Sequence, residues 1–169
     1  MATEASIERP APSVATLPNA GLALAGLVGT GGMIHLVATI EHIGEEWLLA
    51  LFFAVVGVAQ VAAAWAIYRD PENLRMLKLV AVGSLVVALL WVWSRTIGVP
   101  FGPETGRREV GVGDAVATLF ELGFAALVGV LLWRGARSVA WLGGGLGVRL
   151  TSTILSLGLM LAAFGGHQH

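Results

Sequence analysis

The sequence predicts an all-α integral membrane protein: an up-down bundle of four transmembrane helices, followed by a fifth apolar helix. Of the 169 residues, 56% are hydrophobic and only 12% are charged. A soluble domain is about a quarter charged, so a chain with half that fraction is expected to have lipid as its solvent. Its apolar segments are close to the ~20 residues that a helix needs to cross the hydrocarbon core. The lipid bilayer is therefore the expected partner.

The composition also excludes several classes of function. The formal net charge is −1 and the chain has no basic run, so the electrostatic requirement for binding nucleic acid is not met. The chain has no cysteine, which excludes disulfides, thiolate zinc sites, iron–sulfur clusters and cysteine nucleophiles. No Walker loop, Rossmann fingerprint, His-Glu-x-x-His helix or Gly-x-Ser-x-Gly elbow is present, which argues against an enzyme.

The distribution of apolar segments divides the chain into four parts. Residues 1–19 are rich in Ala, Pro, Ser and Thr and predict a disordered cytoplasmic tail. Residues 20–133 predict the four-helix bundle, with spans at Ala20 to Ile40, Trp47 to Tyr68, Met76 to Trp93 and Asp114 to Trp133. A fifth transmembrane helix is predicted at 138–164, although several glycines interrupt its first half, and residues 165–169 form a tail with two histidines.

Lys and Arg residues predict the orientation, because cytoplasmic loops carry an excess of them. With the N-terminus inside a bacterial inner membrane, six basic residues are cytoplasmic and three are outside. The six are Arg9, Arg69, Arg75, Lys78, Arg134 and Arg137. All four histidines and seven of the eleven acidic residues then lie at or near the outer face. That asymmetry is the main functional signal in the sequence.

Two ionisable residues are predicted well inside the four-helix bundle, away from the ends of their spans: His35 in the first and Glu121 in the fourth. Each costs ~2.5–3.5 kcal/mol in lipid, so each is expected to face the bundle interior and to have a partner. His35 and His42 lie seven residues apart, on one helical face and ~10 Å apart in height. Asp114 and Glu121 have the same separation. Because the two helices run in opposite directions, Glu121 is expected at the level of His35 and Asp114 near that of His42.

These residues predict an outward-facing polar pocket, with Zn²⁺ or Cu²⁺ as its expected ligand, because imidazole and carboxylate suit both ions. The candidate metal ligands are His35, His42, Asp114 and Glu121, and the surrounding polar residues are Glu41, Glu45, Arg95, Thr96 and Thr118. One ion cannot reach both histidines across ~10 Å, so a site would form in one layer. An example is His42 with Glu45 or Glu46 and Asp114. Arg95 is expected to neutralise Glu121 or Asp114 in a bidentate pair.

Three other interpretations of the same residues remain open. His35 and Glu121 can exchange protons through water, as in a proton-coupled carrier or a proton relay. The chain can be an accessory or assembly subunit of a larger membrane complex, or a homo-oligomer, that packs through its glycine-rich fifth helix. The buried polar groups can also hydrogen-bond one another and fix only the helix register, with Gln60 and Ser84 bridging helices.

The polar positions also resemble a family of uncharacterised small bacterial polytopic membrane proteins. The resemblance covers roughly residues 30 to 133 and is carried by His35-Leu36, Glu41-His42, Trp47, Phe52-Phe53, Gln60, Ser94-Arg95-Thr96, Gly98, Pro100, Gly102-Pro103, Glu109, Gly111, Asp114 and Glu121. It implies a four-helix membrane fold and supports these positions as a set. It implies no reaction.

Overall fold

The structure is a computed structural model, and it describes residues 17–44, 46–98, 110–135 and 138–165. Regular structure in these ranges is entirely helical, which confirms the all-α class. The four long helices are α1 (Leu17–His42), α2 (Trp47–Arg69), α3 (Leu74–Thr96) and α4 (Val112–Arg134). Each is long and apolar enough to cross a bilayer, so the chain is a multi-pass membrane protein.

The boundaries of these helices differ from the predicted ones by three residues or fewer. α1 begins at Leu17, so residues 17–19 of the predicted tail are helical, whereas residues 1–16 and 166–169 lie outside the described residues. Pro18 fits there because the first turn of a helix needs no amide donor. α3 begins where the Asn73 side chain accepts a hydrogen bond from the Met76 amide. It ends at Thr96, and two residues later the backbone turns at Gly98, whose φ of 102° suits glycine.

α1 is the central helix of the bundle. It packs against α2 and α4, whereas α3 packs mainly against α4. Large apolar side chains remain exposed on the outer faces of all four helices, as lipid contact requires. The main apolar core lies in the half of the bundle that contains the α2–α3 turn, where Ile67, Leu77, Phe124 and Val128 are almost completely buried. The buried polar residues lie on the other side of this core, toward the end of the bundle that carries His42, here called the His42 end.

The predicted fifth helix starts later than expected. A short 3-10 helix occupies Ala140–Gly143, Gly144 is extended, and α5 runs over Gly145–Gly165. The start predicted at residue 138 is therefore wrong, because glycines at 143 to 145 give up more conformational freedom in a helix than any other residue. α5 packs on α1 and α4.

Candidate functional site

The most buried ionisable residues of the bundle lie in contact with each other. The His35 imidazole of α1 places Nε2 3.0 Å from Oε1 of Glu121 on α4. His35 is 6% exposed and Glu121 is 3% exposed. The matching depth of the two residues predicted this contact from the sequence. An imidazole and a carboxyl group therefore share one hydrogen bond inside the part of the bundle that crosses the membrane.

Gln60 of α2 is the third member of this cluster. Its Nε2 donates a hydrogen bond of 2.9 Å to the same Oε1 of Glu121, and the residue is 8% exposed. Because a carboxylate oxygen accepts, the amide must turn its NH₂ group toward Glu121 and its carbonyl oxygen away. Gln60 therefore bridges α2 to α4, which confirms the interhelical role expected for an isolated amide in a span.

Two oxygen atoms of this cluster have no hydrogen-bond partner among the described residues: Oε1 of Gln60 and Oε2 of Glu121. Both atoms are buried. Leaving a buried polar atom without a partner costs about 1–3 kcal/mol, and more when the group is charged. The His35–Glu121–Gln60 cluster therefore leaves one oxygen of Gln60 and one of Glu121 buried without a hydrogen bond from the described residues.

Aromatic rings cover the histidines of α1. The Phe53 ring stacks on the His35 imidazole, with centroids 5.6 Å apart and planes at 15°, and it meets the His42 ring edge-on at 5.3 Å. The Nδ1 of His42 donates to the Ala38 carbonyl of its own helix over 2.8 Å. Phe53 thus packs against both histidines, while His42 is held in place by the backbone of α1.

A second polar contact lies nearer the His42 end. Nη2 of Arg95 on α3 pairs with Oδ2 of Asp114 on α4, and both side chains are partly buried. Of the two partners expected for Arg95, the structure selects Asp114. The contact uses one nitrogen rather than the predicted bidentate geometry, since Nη1 instead lies 3.5 Å from the Ser94 hydroxyl. The guanidinium also lies 5.8 Å from the centre of the Trp91 ring.

The residues of the predicted metal layer have separate partners in the described structure. Within the described ranges, no three His, Asp or Glu side chains are placed to hold one metal ion. Oδ2 of Asp114 pairs with Arg95, and Nδ1 of His42 donates to the Ala38 carbonyl. Glu45, the other ligand considered for this layer, lies outside the described residues.

The remaining residues of the predicted pocket have different environments. Thr118 is buried on α4, as expected. Glu41 is exposed, and Thr96 is exposed with its hydroxyl donating to the Val92 carbonyl of the same helix over 2.8 Å. The carbonyl of a helical residue can accept a hydrogen bond from a threonine hydroxyl one turn later, because the two groups are neighbours on the helix surface. Thr96 therefore belongs to the surface of α3 rather than to a pocket.

Gln60 was missed as a partner of Glu121 because helix rise alone puts it too deep. Counting from the His42 end, Glu121 lies ~14 Å along its helix and Gln60 ~20 Å along its own. Helical side chains lean toward the N-terminus of their helix, and α2 begins at the His42 end. Glu121 leans the same way, because α4 also begins at the His42 end, so the lean does not remove this difference in depth. The shift of α2 relative to α4 comes from helix packing, which no local sequence pattern records.

The Arg95–Asp114 pair gives a first testable prediction. Changing Asp114 to Ala removes the carboxylate that faces a partly buried guanidinium, so we expect it to lower the free energy of unfolding by about 1–3 kcal/mol. Unfolding in detergent micelles measures this effect. Glu41→Ala, an exposed carboxylate at the same end of the bundle, is the matched control and should stay within about 0.5 kcal/mol of wild type. Equal losses in the two variants would contradict a stabilising ion pair.

In comparisons with known proteins, no family model, curated protein or solved structure matches this chain. The function is therefore argued from the geometry of the buried cluster.

Proposed function

We propose that the protein is a proton-coupled membrane carrier or a proton relay, with His35 and Glu121 as its proton-binding pair. One observation carries the proposal: an imidazole and a carboxyl group, each more than nine-tenths buried, lie 3.0 Å apart inside a membrane-spanning bundle. Intramembrane ionisable residues are costly, and proton relays are among their common uses. Imidazole is also the side chain that ordinarily exchanges protons near neutral pH.

Proton transfer within this pair is chemically simple. A proton on the line between His35 Nε2 and Glu121 Oε1 can belong to either atom, giving an imidazolium with a carboxylate or a neutral imidazole with a carboxylic acid. The Gln60 amide donates to the same oxygen, so it stays in contact with the pair in either form. Because the three residues come from α1, α2 and α4, a change in protonation alters hydrogen bonds between three helices at once. Proton binding would thus be coupled to helix packing.

The composition of the cluster favours protons over a transition metal. It contains one imidazole, one carboxylate and one amide, and both of its hydrogen bonds converge on a single carboxylate oxygen. Protein sites for Zn²⁺ instead direct three or four His, Cys or acidic ligands to one ion. Zn²⁺ or Cu²⁺ binding at the His42 end remains a prediction from the sequence.

Infrared titration of the purified protein in lipid nanodiscs tests the proposal. Difference spectra between pH 9 and pH 5 should contain the C=O band of a carboxylic acid that forms as the pH falls, and Glu121→Gln should remove it. Glu41→Gln, which changes an exposed carboxylate of α1, is the control that leaves this band in place. A wild-type difference spectrum that Glu121→Gln does not alter would reject Glu121 as the proton-binding group.

The orientation bears on which side supplies the proton. The distribution of Lys and Arg predicts a cytoplasmic N-terminus in a bacterial inner membrane, which places the His42 end outside. His35 lies ~10 Å below His42 along α1, and so nearer to that end than to the other. We therefore propose that the pair takes up its proton from the outer side.

A second candidate function, an assembly subunit, is favoured by the surface of α5. Ser152, Thr153 and Ser156 are exposed or only partly covered on a helix whose neighbouring positions are apolar. In membranes, serine and threonine hydroxyls often lie at helix–helix contacts. Extraction in mild detergent followed by native mass measurement tests this function. A complex that dissociates when the three residues are changed to Ala, Val and Ala would support it, and a wild-type monomer would contradict it.

A further inference from the structure

The end of the bundle opposite His42 carries most of the basic residues that the structure describes. This end, here called the basic end, has five basic and two acidic residues within the described ranges. The basic residues are Arg69, Arg75, Lys78, Arg134 and Arg149, and the acidic ones are Asp70 and Glu72. All five basic residues are exposed. The basic end is therefore a surface that attracts anions.

Two of these arginines are held against tryptophan rings. The guanidinium carbon of Arg69 lies 4.5 Å from the centre of the Trp65 ring on α2. The guanidinium carbon of Arg134 lies 4.7 Å from the centre of the Trp133 ring on α4. The ring face attracts the cation and restrains it, while the N–H groups at the edge of the guanidinium stay available for hydrogen bonds.

Neither guanidinium forms an ion pair with a carboxylate of the described residues. Asp70 directly follows Arg69, but its Oδ2 instead accepts a hydrogen bond of 3.4 Å from Nδ2 of Asn73. The guanidinium groups therefore remain available to an anion from outside the chain. Among anions, phosphate suits the planar fork of an arginine, because two of its oxygens can accept two parallel N–H groups.

The tryptophans indicate the depth of both pairs in the membrane. From Trp47 to Trp65, α2 rises ~27 Å, which is close to the ~30 Å thickness of the hydrocarbon core. Trp133 is the last residue but one of α4. Trp65 is 61% exposed and Trp133 is 79% exposed, so both indoles face the lipid. Indoles of membrane proteins concentrate at the level of the headgroups. The arginine beside each ring is therefore placed to meet lipid phosphates.

We propose that the Trp65–Arg69 and Trp133–Arg134 pairs each bind the phosphate group of an anionic phospholipid. In each pair the guanidinium donates to two phosphate oxygens, and the indole packs against the glycerol region below them. The excess of basic residues at this end favours an anionic lipid over a zwitterionic one, whose terminal ammonium group is repelled. The inference does not depend on the proposed proton chemistry, which lies toward the other end of the bundle.

A built site differs from general attraction to a charged membrane surface. General attraction depends on the number of basic residues near the surface, and each contributes about equally. A site made by an arginine over a ring depends in addition on the ring and on the fork of the guanidinium. Variants that keep the charge but change either feature therefore distinguish the two.

Native mass measurement of the purified protein tests the proposal. The protein is equilibrated in detergent with equal amounts of phosphatidylglycerol, which is anionic, and phosphatidylcholine, which is zwitterionic. We expect one phosphatidylglycerol to be retained at each pair, in preference to phosphatidylcholine. Arg69→Gln and Arg134→Gln should each weaken retention at one site about tenfold, the value of one charge-assisted hydrogen bond. Arg75→Gln, which removes the same charge from an exposed arginine of the same end, is the matched control and should keep both lipids.

Two variants keep the charge of the basic end. Trp65→Leu removes the ring and should weaken retention about threefold, the value of an exposed cation–π contact. Arg69→Lys replaces the planar fork with a point charge and should also weaken it. Trp141→Leu is the control for the ring, because Trp141 is 56% exposed at the same end and no described arginine lies over it. It should retain as much lipid as the wild type.

Four outcomes would overturn the proposal. Equal retention of the two lipids would remove the selectivity, and an equal loss in Arg75→Gln and Arg69→Gln would reduce the binding to general attraction. Displacement of the lipid by inorganic phosphate at the same concentration would assign the pairs to a soluble phosphate compound. A second protein chain that copurifies with the wild type and is lost in Arg69→Gln would assign this surface to a protein partner. Each outcome leaves the proton pair untouched.

Discussion

Glu121→Gln should reduce the rate of proton movement through the protein to the rate measured in protein-free liposomes. The amide has nearly the shape of the carboxyl group and its carbonyl oxygen can still accept from Gln60, so the bundle is expected to fold. It cannot take up or release a proton at neutral pH, however, so transfer with His35 stops. General acid–base transfer by one positioned group contributes about 10²–10⁴-fold, so the loss should exceed tenfold.

The measurement is proton influx into liposomes that contain a pH-sensitive dye, driven by a potassium diffusion potential. Glu41→Gln serves as the control, because Glu41 is exposed near the same end of the bundle. Its influx should equal that of wild type. Undiminished influx in Glu121→Gln would place the proton path elsewhere in the molecule.

The second large effect, a loss of stability, is expected from Gly57→Ala, because α1 and α2 approach each other closely at Gly57. A Cβ atom at Gly57 would lie 2.9 Å from the Gly32 carbonyl oxygen and 2.8 Å from the Leu36 side chain. The carbonyl belongs to the backbone of α1 and cannot rotate away, so the two helices must separate. Overpacking of this kind costs about 1–3 kcal/mol. Because Gln60 lies one turn further along α2, its hydrogen bond to Glu121 should lengthen as well.

Thermal unfolding in detergent and the infrared band of Glu121 measure the two parts of this prediction. Gly83→Ala on α3 is the matched control, because a Cβ atom there meets nothing within 4 Å in the described structure. Alanine has the higher helix propensity, so this control should be neutral or slightly stabilising. If Gly57→Ala unfolds at the same temperature as Gly83→Ala, the close approach of α1 and α2 does not hold the bundle together.

The four long helices were predictable because the bilayer sets both their length and their composition. Their ends agree with the prediction to within three residues, since polar turns such as Asp70 to Asn73 interrupt the apolar segments clearly. The fifth helix was harder to predict, because a run of glycines can either continue a helix or break it. There the backbone preference of glycine prevailed over the apolar character of the segment.

The candidate site was predictable only in part. Depth along opposite-running helices placed His35 level with Glu121, and the structure shows them in contact. The same argument left both Asp114 and Glu121 open as partners of Arg95, and it predicted that His42 belongs to a layer of metal ligands. How far a helix is rotated about its axis and shifted along it depends on packing, and this packing decided that Arg95 pairs with Asp114.

By itself, the sequence determined that this protein crosses a membrane as helices, and it predicted that the histidines and most acidic groups lie toward one end, because the cost of burying polar groups in lipid acts on each segment independently. Only the tertiary structure decided that Gln60 joins His35 and Glu121 and that one oxygen of Gln60 and one of Glu121 are buried without a partner among the described residues. Those features depend on the distance and rotation between helices, which are set where Gly32 meets Gly57. Such contacts join residues far apart in the chain, and no local pattern records them.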